Sequence, residues 1–88
     1  MIEKIVPGQI VRSKAGHDMF KHFVIVEVVD NDFVLISDGK TRKLETPKKK
    51  KIKHLAILND NAFKDETFSL TNKNLKKLMQ RYNEGDKY

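Results

Sequence analysis

The chain has 88 residues, 34% of them charged and none of them cysteine, with a formal net charge of +6. That length holds one small domain with a modest core, and the lack of cysteine removes disulfides, cysteine-based zinc sites and a thiol nucleophile together. No apolar run approaches the ~18–20 residues of a membrane span, and Met1–Lys4 lacks a secretory-signal pattern, so a cytoplasmic protein without a membrane partner is expected.

Pro7-Gly8 marks a turn, and Gln9 to Ser13 reads as a short strand. Lys14 to His22 is a loop that bends near Gly16. Phe23 to Asp30 is the strongest strand. Val24, Val26 and Val28 line one face and Phe23, Ile25 and Val29 the other, so both faces are expected to be covered. Asp30-Asn31-Asp32 turns the chain into a strand from Phe33 to Ser37. Asp38-Gly39 predicts a two-residue type I′ hairpin, with Thr41 to Leu44 returning as the fourth strand. Glu45 to Lys51 is then a basic connection, and Lys53 to Leu58 a fifth strand.

Five short strands joined by tight turns predict a mainly β chain, a small antiparallel barrel over residues 1–58. Residues 59–88 read as a linker and a C-terminal α-helix. Thr71 is the expected N-cap, Leu70 and Leu75 a hydrophobic staple, and Gly85 the stop. Leu75, Leu78, Met79 and Tyr82 form one apolar stripe, for which the outer face of the Phe23–Val29 strand is the candidate partner.

The charge is local. Between Lys40 and His54, Lys40, Arg42, Lys43, Lys48, Lys49, Lys50, Lys51 and Lys53 face one carboxylate, Glu45, for a net of +7, which leaves the rest of the chain near −1. Cations this dense repel one another, and a polyanion laid across them relieves the repulsion and releases counterions. The pattern points to nucleic acid. Lysines act there as point charges on phosphates, and Arg42 and Arg12 can grip a phosphate with two N–H groups. The bland alternative is a solvated loop.

His54, beside Lys53, is expected on the RNA side or in solvent. His17 and His22 lack an evident third ligand, so an exposed or phosphate-contacting pair is expected and no metal site. Phe23 belongs to the core, whereas Phe20 divides between packing and stacking on a base. The carboxylates are scattered, with no nucleophile turn and no Gly-rich phosphate loop. No enzyme, cofactor or small-molecule substrate is expected.

Gly8-Gln9-Ile10-Val11-Arg12-Ser13-Lys14-Ala15-Gly16-His17-Asp18, followed by Phe23-Val24-Ile25-Val26, resembles a KOW motif of ribosomal proteins and of transcription elongation factors of the NusG type. Val34 to Gly39, Arg42-Lys43 and Lys51 to Leu55 resemble the large-subunit ribosomal protein family L-fourteen-e and its short bacterial relatives, the KOW-domain RNA-binding proteins. The resemblance covers about residues 5 to 58 and stops before the C-terminal helix. It implies an SH3-like barrel that binds structured RNA, ribosomal RNA of the large subunit foremost. It implies RNA contacts in the loop after the first strand, at Lys14, Gly16, His17 and Lys21, and it matches Asp38, Gly39, Arg42 and Lys43. The chain departs from the pattern at Met19-Phe20, where the family has Lys-Gly. A phenylalanine is not expected at positive φ, so a differently shaped loop is expected.

The sequence therefore reads as an RNA-binding protein that uses a lysine-rich loop and the KOW loop. The second reading is an SH3-like protein-interaction module of the transcription or translation machinery, with the helix stripe as its docking face.

Overall fold

The computed structural model describes residues 5–85; Met1–Lys4, read above for a signal pattern, lie outside them. Among the described residues the chain is mainly β, with five antiparallel strands in one sheet and a C-terminal helix. The strands are β1 (Gln9–Ser13), β2 (His22–Val28), β3 (Phe33–Ser37), β4 (Lys48–Lys51) and β5 (Leu55–Asn61), and the helix is α1 (Asn72–Gly85). Their order across the sheet is β4-β3-β2-β1-β5.

That order makes the sheet roll. β4 and β5 are its two edges, yet a single 3-10 turn, Ile52–His54, joins them. In a flat sheet the edges would stand four strand spacings apart, roughly 19 Å. Three turn residues cannot span that at the ~2 Å rise of a 3-10 helix. One cross-link between distant strands marks the closure: the Lys50 ammonium on β4 donates to the Ala15 carbonyl just past β1 at 3.1 Å. Lys14 N–H donates to the His54 carbonyl at 2.8 Å and extends the β1–β5 ladder toward that turn. The rolled inner face encloses Val11, Phe23, Ile25, Val34, Ile36 and Leu55.

The opposite face of β1 and β2 presents Ile10 and Val24, and α1 covers it with Leu75 and Met79, while Leu78 and Tyr82 pack at the margin. Thr71 caps the helix by accepting from Asn74 N–H at 3.1 Å. Asn83 reaches back from the last turns and accepts from the His22 backbone N–H at 2.7 Å. Tyr82 donates to Asp60 on β5 at 2.6 Å. Both faces of β2 are thus covered at its start. A register shift between Ile25 and Glu27 re-aims the remainder, and Val28 and Val29 emerge exposed.

Four sequence expectations need correction. Thr41 to Leu44 is not a strand, and Asp38-Gly39 is not a type I′ hairpin, since Gly39 alone of the pair has positive φ. The Asp38 carboxylate instead accepts from Lys40 N–H, Arg42 N–H and the Thr41 hydroxyl, at 2.9, 2.9 and 2.7 Å. These local bonds compete with a ladder and hold the chain in a turn. The fourth strand is Lys48–Lys51, inside the segment read as a basic connection. Lysine is a poor strand former, but an edge strand favours lysine because it discourages pairing with other chains. The fifth strand runs to Asn61, past the boundary drawn at residue 58.

Candidate nucleic-acid interface

The lysine run is a strand and not a loop, so its side chains alternate. Register pairs Lys48 with Ile36 and Lys50 with Val34, whose side chains lie in the barrel interior. It pairs Lys49 with Leu35 and Lys51 with Phe33 on the outer face. Facing residues of paired strands share a face, so Lys48 and Lys50 aim at the rim of the inner face and Lys49 and Lys51 aim outward.

The two pairs meet different surroundings. Lys50 is 8% exposed. Lys48 donates to the buried Asp18 carboxylate at 2.9 Å, and the Arg42 guanidinium stands 4.0 Å from the same oxygen. Burial pushes the Asp18 carboxyl upward, but the Lys48 hydrogen bond and the charges of Lys48, Arg42 and Lys50 outweigh it and leave it below its ordinary value. Asp18 thereby fastens the loop after β1 to β4 and to the 38–47 loop. On the outer face, the Lys49 ammonium lies 4.7 Å from the centre of the Phe33 ring and Lys51 lies 6.0 Å from it. Both stay exposed, their stems on the aromatic ring and their charges toward water. Lys51 and Lys53 also line a shallow hollow with Phe33 and Asp32.

The loop after β1 is tightly built. Ser13 N–H donates to the Lys21 carbonyl at 2.9 Å and Phe20 N–H to the Ser13 carbonyl at 2.8 Å. Lys21 N–H donates to the Asp18 carbonyl at 2.9 Å. Phe20 has φ +73°, so the expectation that it would avoid positive φ is corrected. The three bonds around it over-determine the turn and hold the side chain where glycine is favoured. The residue is 65% exposed, with the Arg12 guanidinium 6.0 Å from the centre of its ring.

The sequence candidates therefore divide. Lys14, Gly16, His17 and Lys21 are exposed on the β1–β2 loop, Lys40 and Lys43 on the 38–47 loop, and Lys49, Lys51 and Lys53 on β4 and the turn after it. Arg42 and Lys48 are half-buried beside Asp18, His54 is half-buried, and Lys50 is an interior strut. His22, read as exposed or phosphate-contacting, is buried at 5% exposure, its ring 5.5 Å from that of Tyr82.

Sequence reasoning missed the part α1 plays. Met79, Lys76 and Gln80 form one wall of a groove of about 470 Å³, opposite Met19, Phe20 and Lys40. Lys76 lies outside the lysine run, and nothing in its own stretch of sequence joins it to that run. Among the described residues, no three His, Cys, Asp or Glu side chains gather as a metal site, and no helix is long and apolar enough to cross a membrane. Comparison with models of known protein families and with curated proteins gives no match.

Proposed function

We propose that this chain binds structured RNA by charge and shape, with ribosomal RNA of the large subunit as the partner the sequence resemblance favours. One observation carries the reading. Exposed lysines lie on three separate segments, the β1–β2 loop, the 38–47 loop and β4, and the buried Asp18 carboxylate braces those segments against one another through Lys48 and Arg42. That bracing stabilises the fold and also holds the lysine-bearing segments in fixed positions, so the array meets phosphates without ordering its loops on binding. Double-helical RNA hides its base edges in a deep, narrow groove, so such an array reads phosphates, 2′-hydroxyls and shape.

The protein-interaction reading relied on the helix stripe. Leu75 and Met79 of that stripe are buried on Ile10 and Val24, which leaves the docking face occupied from within. Sedimentation of a native lysate through sucrose tests the RNA reading. The chain is expected with the large subunit at low salt, and it is expected to leave that fraction at high salt or when Lys49 and Lys51 are replaced by glutamate. A chain at the top of the gradient at every salt concentration contradicts the ribosomal assignment.

A further inference from the structure

The lysine array accounts for phosphates, but not for the groove between Met19-Phe20 and α1. Its walls combine two chemistries. Phe20 and Met19 supply exposed aromatic and thioether surface, while Lys21, Lys40 and Lys76 supply charge. The one carboxylate among the lining residues, Asp38, already accepts three hydrogen bonds within its own turn. The net field in the groove is therefore positive. Its volume, about 470 Å³, falls within the range of small-ligand sites.

Phe20 is an independent observation. It is the residue other than glycine with positive φ among the described residues, at +73°, and it stands 65% exposed at the groove wall. A buried phenylalanine could justify backbone strain by its packing. An exposed one gains little from the protein itself, and strain kept without a packing return points to a ligand.

Resting on the RNA reading above, we propose that the groove takes one unpaired nucleotide of the bound RNA, with its base against Phe20 and Met19 and its phosphates toward Lys21, Lys40 and Lys76. Aromatic platforms accept any base by its face, and unpaired bases are the part of an RNA that protein side chains reach most readily. The groove thus adds to the array a preference for a bulge or loop over a continuous duplex.

The test compares two labelled RNA hairpins of equal length, one fully paired and one with a single bulged nucleotide, by fluorescence anisotropy with the whole chain. The wild type is expected to bind the bulged hairpin about tenfold more tightly, the scale of one base stacked on an aromatic ring. Phe20→Gly removes the ring and suits the positive φ, so it is expected to melt no lower than wild type, to bind the paired hairpin equally well and to lose the preference. Lys76→Ala is expected to weaken the bulged hairpin more than the paired one. A wild type that binds both hairpins alike, or a Phe20→Gly variant that keeps the preference, overturns the groove assignment and leaves the RNA reading standing. Failure to bind either hairpin at low salt overturns both.

Discussion

Gly39 is where the 38–47 loop meets the helix, and replacing it by alanine tests how the two are joined. Its φ is +76°, and an added Cβ would lie 2.5 Å from the Asn72 carbonyl oxygen and 2.9 Å from the Lys76 nitrogen. Both atoms belong to the α1 backbone, which cannot rotate aside as a side chain can. The left-handed conformation alone costs about 1–2 kcal/mol for an L-residue. Displacing α1 then loosens Leu75 and Met79 from Ile10 and Val24, an overpacking cost of a further ~1–3 kcal/mol. Gly39→Ala is therefore expected to lose about 3 kcal/mol, which for a domain of this size lowers Tm by roughly 12–24 °C. Gly16→Ala is the control. Its φ is +82°, but the nearest atom to an added Cβ is the Lys50 ammonium nitrogen at 3.6 Å, so only the conformational cost of about 1–2 kcal/mol remains. Thermal melts and urea titrations of the two variants measure the difference. Equal losses would refute the argument that the loop is seated on the helix backbone.

Two further predictions concern titrating groups. Asp18 has a lowered pKa in the folded chain, so its contribution to stability is present above its ordinary value of 3.8 and is lost as pH falls through the lower folded value. Asp18→Asn is expected to cost about 1–2 kcal/mol at pH 7, since Lys48 and Arg42 are partly solvated, and to flatten the loss of stability in acid when melts are followed from pH 6 to pH 2. Tyr82 has the opposite sign. Burial and the bond to Asp60 push its phenol from 10.0 to about 12, so stability falls as pH rises through that window. Tyr82→Phe is expected to cost about 1 kcal/mol at pH 7 and to lessen the alkaline decline over pH 10–12 by the share that Tyr82 contributes, as followed by denaturant titration at each pH.

Much of the fold was legible in the sequence because its signals were local. The strands read after the turns at Pro7-Gly8 and Asp30-Asn31-Asp32, Gln9–Ser13 and Phe33–Ser37, matched β1 and β3 residue for residue. Thr71 and the stripe from Leu75 to Tyr82 located the helix, and the two apolar faces of the strand after Phe23 indicated where it would sit. What was misread depended on partners distant in the chain. Lys48–Lys51 has no strand signature of its own and becomes a strand because β3 offers an open edge beside it. Asp38-Gly39 has the composition of a hairpin turn, yet Asp38 bonds to the chain ahead of it and Gly39 is pressed against α1. The β1–β2 loop keeps a left-handed turn at Phe20 because its hydrogen bonds outweigh the preference of the side chain.

The candidate interface was legible as charge and not as geometry. Eight cations near one another in sequence raised the expectation of a polyanion partner. The strand alternation that turns Lys50 inward and Lys49 and Lys51 outward, the brace at Asp18 and the contribution of Lys76 all required the assembled fold.

The most direct test of RNA binding through phosphates is a salt titration of the whole chain against a structured RNA hairpin, from 50 to 400 mM monovalent salt, read by anisotropy. If four or five exposed lysines meet phosphates, log affinity is expected to fall against log salt with a slope of about −4, at roughly 0.9 per contact by analogy with duplex DNA. Alanine at both Lys49 and Lys51 should flatten that slope by about 1–2 units. A slope near zero, or a slope unmoved by those substitutions, would contradict the account.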